Sequence, residues 1–348
     1  MQNIFKIILF SFSLSLKTTE YLYPITTIED ETVFYIYQKN LADLELWRFF
    51  LNDQHQEKCL DWRYIPAGLK ILSDKSGFSF IDAGRLRIKN FLKRACRTIE
   101  FHQPVFGVSE INWVSKDDCY FSARQKTHFA IFKADVNHNQ LTMIQSKKDL
   151  DCLSPRILEQ QLFYIERNAF DRSSFICRKL LSDKQDLQIV DCGYQQVIYL
   201  EMLSPELGWY IEHMPYINDD SDFITFVCHK IELISVTKNW SSQKIFKFNV
   251  LKKYLIGDDR LYESYIPFLP RTKKTSLYFT NIQRNESQEY YSSINSYDLT
   301  DGKFKTIITS EPSLILFAPI LVSQELFYGK ISENGLLNES QALERIKL

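Results

Sequence analysis

Glycine and proline are scarce, with ten of each in 348 residues. Gly-rich phosphate cradles are therefore absent: there is no GxGxxG and no GK[ST] P-loop. GxSxG and HExxH are also missing, so neither the nucleophile elbow of an α/β-hydrolase nor a zincin helix is encoded. No CxxC occurs among the seven cysteines, which excludes a zinc ribbon and a thioredoxin-type redox pair. Charge of one sign is lacking too. Forty-two Lys and Arg face 43 Asp and Glu, a net charge of −1, which argues against a nucleic-acid partner because phosphates need a basic face. No apolar run approaches the length of a membrane span.

Aromatic residues are plentiful. Twenty-six Phe, 19 Tyr and 5 Trp give a 14% aromatic content, and hydrophobic residues make up 45%. That composition favours strands and excludes a disordered chain. The cysteines, Cys59, Cys96, Cys119, Cys152, Cys177, Cys192 and Cys228, are odd in number and widely spaced, and read as free thiols packed as small hydrophobes, with one or two disulfides as the alternative. A chain of this length does not need disulfides to fold.

Residues 1–16 carry two readings. Lys6, the apolar run Ile7 to Leu16 and Ser13-Leu14-Ser15 fit a secretory signal with its small-x-small cleavage site. Yet Phe10, Phe12, Leu14 and Leu16 alternate with Ser11, Ser13 and Ser15, the period-two pattern of a strand.

Short apolar-aromatic runs recur along the rest. They are VFYIY at Val33, FSFID at Phe78, CYFSA at Cys119, LFYIE at Leu162, GWYIE at Gly208, LYFTN at Leu277 and LFYGK at Leu326. Their spacings are 45, 41, 43, 46, 69 and 49 residues. A period of 40 to 50 built from short strands is the sequence signature of a β-propeller, one four-stranded blade per repeat. Two further strand-like stretches follow several runs: LRIKNF and CRTIEF, HFAIFKAD and QLTMIQ, SFICRKLL and LQIVDC. The expected fold is all-β, a propeller of seven four-stranded blades spanning residues 17–348. Six blades plus an irregular element would also fit. The 69-residue spacing places an insertion near 238–265, and insertions of this kind often carry binding surface.

The last repeat has strands at Leu314 to Pro319, Leu326 to Ile331 and Ala342 to Leu348, and lacks a fourth. Ring closure then calls for a strand from the N-terminus, either Ile4 to Leu16 or Tyr21 to Thr27. Turns are expected at Ser154-Pro155 and Ser204-Pro205, and hairpins at Asp82-Ala83-Gly84, Asp301-Gly302 and Asn334-Gly335.

The pattern of apolar strand, Trp or Leu, Ser-x-Asp, then aromatic strand resembles the repeats of TolB-type propellers, distant relatives of the WD-repeat propellers. In that family the turn commonly reads Ser-Pro-Asp-Gly. The best matches are Trp113-Val114-Ser115-Lys116-Asp117-Asp118 and Leu72-Ser73-Asp74-Lys75-Ser76-Gly77. The resemblance covers the chain from about Tyr21 to the end. It implies a propeller, and a role as a periplasmic scaffold contacting envelope proteins. The α/β domain that precedes the TolB propeller is not expected within these residues, because repeats start almost at once.

No residue is singled out as catalytic, cofactor-binding or metal-ligating. The histidines, His55, His102, His128, His138, His213 and His229, are scattered along the chain and read as surface or core. Asn218, Asp220 and Asp222 alternate as calcium ligands do, but no Gly follows at the sixth position and His229 occupies the twelfth, where a Glu is wanted. Arg85, Arg87 and Lys89 alternate along one strand and read as a solvated face. The expected function is a non-catalytic interaction scaffold with a protein or glycan partner, monomeric and without a cofactor. It is periplasmic or secreted if residues 1–16 are cleaved and cytoplasmic otherwise. The alternative is a propeller hydrolase or lyase whose titratable groups converge at the central channel. A sealed axis with aromatics exposed on one rim would instead mark a partner platform.

Overall fold

The computed structural model describes residues 21–28, 31–38, 44–62, 67–72, 74, 76–91, 96–101, 105–108, 111–183, 185–214, 222–252, 269–332 and 344–348. These residues form 27 strands in six sheets, antiparallel but for one pairing. The first blade is β1 (Tyr21–Ile28), β2 (Thr32–Gln38), β3 (Leu44–Phe50) and β4 (Gln56–Trp62). The second is β5 (Ala67–Ile71), β6 (Gly77–Asp82), β7 (Arg85–Asn90) and β8 (Cys96–Ile99). The third is β9 (Asn112–Trp113), β10 (Asp118–Gln125), β11 (His128–Asp135) and β12 (Gln140–Gln145). The fourth is β13 (Leu150–Leu158), β14 (Gln161–Asn168), β15 (Ser174–Leu180) and β16 (Asp186–Asp191). The fifth is β17 (Gln196–Ser204), β18 (Leu207–His213), β19 (Phe223–Leu233) and β20 (Trp240–Leu251).

The blade count differs from the expected seven or six. Five sheets have four strands, and the remaining strands form one seven-stranded sheet. It contains β21 (Arg271–Lys273), β22 (Ser276–Arg284), β23 (Tyr290–Asp298), β24 (Phe304–Thr309), β25 (Leu314–Val322), β26 (Glu325–Ser332) and β27 (Glu344–Lys347). A single parallel pairing, Tyr291 with Leu314, joins β23 to β25 and fuses what would otherwise be two sheets. Sequence periodicity counts strands and cannot register a one-pair fusion.

All seven apolar-aromatic runs fall on second strands: β2, β6, β10, β14, β18, β22 and β26. The physical reason is burial on both faces. β14 is buried from Leu162 to Arg167 and β18 from Gly208 to His213, so these strands read as continuous apolar runs without alternation. The fourth strands β12, β16 and β24 are largely exposed and polar. Gly77 and Gly208 open second strands where backbones approach closely. A Cβ would lie 2.1 Å from the Lys89 carbonyl at Gly77 and 2.6 Å from the Glu201 carbonyl at Gly208.

Bulges repeat along with the strands. First-to-second register shifts occur at Pro24/Thr26, Ala67/Lys70, Leu153/Arg156, Val197/Tyr199 and Phe317/Ile320. Ser154-Pro155 therefore is not a turn, as expected, but a bulge inside β13 with Ser154 at φ 51°. Ala318-Pro319 repeats it in β25, with Ala318 also at φ 51°. β13 is a sheet edge, and β25 pairs with β23 only at Leu314, so neither proline removes a ladder hydrogen bond. Ser204-Pro205 does form the β17–β18 turn, with Ser204 Oγ accepting the Glu206 N–H. At the best TolB-like match, Ser115 Oγ accepts the N–H groups of Asp117 and Asp118 at 3.2 and 3.0 Å.

Tyr21 to Thr27 does not supply a closing strand. It is β1, paired with β2 from Tyr21–Gln38 to Ile28–Thr32 as the first strand of its own blade. β1 packs against β25 and β26 without pairing with them. Val33, Tyr35 and Phe49 meet Val322 and Phe327 there, so first and last sheets are neighbours. The expected insertion resolves in part: Trp240 to Leu251 is the long outer strand β20, while 253–268 lies outside the described residues. Residues 1–20, His102, Asn218, Asp220 and Asn334-Gly335 also lie outside them. All seven cysteines are free, and Cys119, Cys152, Cys177, Cys192 and Cys228 are buried.

Candidate functional site

Strand direction fixes two rims. Within a blade every neighbouring pair is antiparallel, so turns after first and third strands emerge at one end. Turns after second strands and connections from fourth strands to the next blade emerge at the other, here called the connection rim.

Around the axis, polar side chains tie several first strands to the neighbouring blade. Trp113 Nε1 donates to Ser79 Oγ at 2.8 Å, and Asn112 Oδ1 accepts the Ile157 N–H at 3.3 Å. Arg156 on β13 donates from Nε to Glu201 Oε2 on β17 at 3.1 Å, and Tyr199 O–H donates to the same oxygen at 2.8 Å. The Arg156 guanidinium lies 5.2 Å from the centre of the Tyr199 ring, and Tyr199 packs on Trp209 at 5.1 Å. Trp209 Nε1 in turn donates to Thr272 Oγ1 at 3.1 Å. Three titratable groups thus converge beside the axis, as an active site would require. However, the Arg156 side chain is only 4% exposed, and Glu201 27%. The set is a desolvated inter-blade tie.

A second charged cluster links the third and fourth blades. Lys147 Nζ lies 2.5 Å from both Glu166 Oε1 and Asp186 Oδ2. The Tyr164 hydroxyl sits 2.8 and 2.6 Å from the same two oxygens, and Gln145 Nε2 donates to it at 3.1 Å. Burial raises the Asp186 carboxyl, but hydrogen bonds from Lys147 and Tyr164 outweigh it and hold the group well below the usual carboxylate range. Burial lowers Lys147, and its bonds to Asp186 and Glu166 more than reverse that.

The described histidines do not gather at one site, although His128 and His138 share the third blade and His213 and His229 the fifth. His55 stacks on Phe50, His128 meets Ser146, His138 meets Asp135, His213 packs on Phe226, and His229 reaches Glu212 at 2.8 Å. Among the described residues no three His, Cys, Asp or Glu gather as a metal site. Asp222 binds Arg284 and Tyr290. Arg85 and Arg87 face Glu100 and Asp82, a self-paired strand face. Among the described residues, no helix is long and apolar enough to cross a membrane.

The connection rim carries the feature that sequence reading did not isolate. Phe106 is 58% exposed, Phe170 81% and Tyr194 79%. Phe106 lies in the β8–β9 connection, Phe170 in the β14–β15 turn and Tyr194 in the β16–β17 connection, so all three emerge at one end. Their loops are held. Asn168 Oδ1 accepts the Phe170 N–H at 2.8 Å, Asp191 Oδ1 accepts the Gly193 N–H at 2.8 Å, and the Phe106 carbonyl accepts the Arg124 N–H at 2.9 Å. The available signal was an aromatic in a polar loop, as in Asn168-Ala169-Phe170-Asp171 and Gly193-Tyr194-Gln195.

The fold is thus that of a β-propeller, and comparison with solved structures agrees. A putative TolB from Agrobacterium tumefaciens is similar over 84% of this chain and 90% of its own, with TM-score 0.50 and 7% identity. An oligogalacturonate lyase from Vibrio parahaemolyticus is similar over 90% and 91%, with TM-score 0.58 and 8% identity. A prolyl endopeptidase is similar over 95% of this chain, with TM-score 0.56 and 10% identity, and the chain spans only 50% of its length. No family model and no curated protein matches the sequence.

Proposed function

We propose that this propeller is a non-catalytic platform that binds a protein or glycan partner through its connection rim, where the second to fifth blades meet. The exposure of Phe106, Phe170 and Tyr194 on hydrogen-bonded loops carries the reading. Large apolar groups held in water by ordered turns mark interaction surfaces. Two of the three rings, Phe106 and Phe170, carry no hydrogen-bonding group, which favours a largely apolar protein surface as partner. Similarity to a TolB structure supports the same class of role. The compartment follows the fate of residues 1–16: periplasmic or secreted if they are cleaved, cytoplasmic if they are retained.

The test is site-specific photo-crosslinking in the native cell. A benzophenone amino acid at Phe170 is expected to give a discrete adduct. The same group at Val236, 90% exposed on the opposite rim, is expected to give none. A carbohydrate-bearing adduct would assign a glycan. No adduct at Phe170 overturns the proposal.

A second reading is a hydrolase or lyase at the axis. The Arg156–Glu201–Tyr199 convergence favours it, together with fold similarity to an oligogalacturonate lyase and a prolyl endopeptidase. Turnover of oligouronates or peptides, abolished by Glu201→Gln, would establish it.

A further inference from the structure

We infer that the partner of the connection rim is an acidic polypeptide, one that sets carboxylates beside the apolar side chains it packs on the rim. The inference rests on the platform reading above and names the chemistry of what docks there. The three exposed aromatics stand on one continuous band. At one end the Phe106 carbonyl accepts the Arg124 N–H, which ties that loop to β10. The β10–β11 turn, Lys126-Thr127, follows at once. Beyond it Ser146 Oγ meets Gln125 Oε1 at 3.4 Å and His128 Nε2 at 2.9 Å. The Asp149 carbonyl then accepts the Ala169 N–H at 3.3 Å, which sets the Phe170 turn against the β12–β13 connection. At the far end the Gly193 carbonyl accepts the Ser174 N–H at 2.9 Å and brings the Tyr194 loop alongside.

The charge on this band points to the partner. Arg124, Lys126, Lys148 and Arg172 are all exposed, and among the described residues none of the four side chains makes an ion pair. Arg85, Arg87, Lys133 and Lys147 of the same blades are each met by a carboxylate. Two carboxylates of the band serve their own loops. Asp171 Oδ1 accepts the Ser173 N–H and hydroxyl at 2.9 and 2.7 Å, and Asp191 Oδ1 accepts the Gly193 N–H at 2.8 Å. Asp149 remains to offset four cations, in a chain whose net charge is −1. Uncompensated cations steer an acidic partner and set its register, while the rings supply area to bury. A phosphate backbone needs an uninterrupted basic track and would meet Asp149, Asp171 and Asp191 along this one. A polypeptide can space its carboxylates between apolar groups.

Fluorescence anisotropy with labelled synthetic polypeptides, on the purified full chain, tests this. A Glu–Tyr copolymer is expected to bind, polyglutamate about tenfold more weakly for want of apolar contact, and a Lys–Tyr copolymer not at all. The four-site variant Arg124→Gln, Lys126→Asn, Lys148→Gln, Arg172→Asn is expected to weaken the Glu–Tyr copolymer about tenfold or more. Asparagine is chosen at 126 and 172 because both residues lie in the left-handed region, at φ 53° and 62°, which it tolerates. An unchanged urea midpoint checks that the variant is folded. Should it not fold, the wild-type preference for Glu–Tyr over Lys–Tyr still decides. Equal affinity of both proteins for the Glu–Tyr copolymer overturns the inference. So does tighter binding of an oligothymidylate, which would assign a nucleic acid. In the native cell, a benzophenone adduct at Phe170 that forms equally in the four-site variant overturns the acidic partner and leaves the platform standing. Absence of any adduct there overturns the platform itself.

Discussion

The joint between the third and fourth blades and the joint between the fifth blade and the wide sheet do the same architectural work with opposite chemistry. The first holds Lys147, Glu166, Asp186 and the Tyr164 hydroxyl in one hydrogen-bonded cluster. The second is aromatic: Phe246 on β20 and Phe279 on β22 stack with centroids 3.9 Å apart at 3°. Phe248 packs against both at 5.9 to 6.2 Å. Apolar joints stabilise in proportion to area and tolerate small shifts. A charged joint adds little net stability over an apolar one of equal volume, yet it is costly to break from one side. It fixes angle and register more than it strengthens the ring.

Truncating the aromatic joint should have the largest effect. Phe279→Ala leaves a cavity beside Phe246 and is expected to cost about 3–5 kcal/mol, read as a lower urea midpoint with unchanged slope. Breaking the charged joint from one side comes next. Lys147→Met strands Glu166, whose side chain is 1% exposed, beside Asp186, and is expected to cost about 3 kcal/mol at neutral pH. Adding Glu166→Gln and Asp186→Asn should recover most of it. A triple variant as weak as the single one would show that the ion pairs stabilise outright.

The two joints also separate by pH. Asp186 has a depressed folded-state pKa, so its contribution is present above the unfolded carboxylate range, near about pH 4, and is lost as pH falls below it. Wild-type stability should therefore drop on acidification. In Lys147→Met the Asp186 carboxyl loses its hydrogen bond from the ammonium and with it much of the depression, so the difference between the two proteins should shrink as pH falls. Phe279→Ala should keep the wild-type pH profile, offset by a constant. Equal profiles for all three proteins would break the comparison.

Smaller effects are expected away from both joints. Trp209→Phe gives up the hydrogen bond to Thr272 and is expected to cost about 1 kcal/mol. Phe170→Ser should change stability by less than about 0.5 kcal/mol, because the ring is exposed. In the native state a thiol reagent should label Cys96 readily. Buried Cys152 and Cys192, whose pKa values burial pushes up to about 12, should react only on unfolding.

Much of this architecture was legible in the chain. Second strands such as Leu162-Phe163-Tyr164-Ile165 are buried on both faces and announce themselves as apolar runs at a period near 45. The Ser115 turn was readable because a hydroxyl followed by two aspartates has a local hydrogen bond to make. What escaped was long-range. The fusion of β23 to β25 is one pairing. Ser154-Pro155 is as compatible with an edge bulge as with a turn, and only the neighbouring strand decides. The Arg156–Glu201 and Lys147–Asp186 ties join residues 45 and 39 positions apart, spacings with no local signature. Phe170 and Tyr194 were hidden because a single aromatic in a loop looks the same whether it is covered or presented.

The central claim is that the protein works through its connection rim, while the charges near its axis hold blades together. Hydroxyl-radical footprinting in intact native cells, set against the purified protein, tests it most directly. The account predicts that oxidation of Phe106, Phe170 and Tyr194 falls several-fold in the cell while Val236 on the opposite rim keeps its rate. Equal oxidation of the three aromatics in both settings would contradict it.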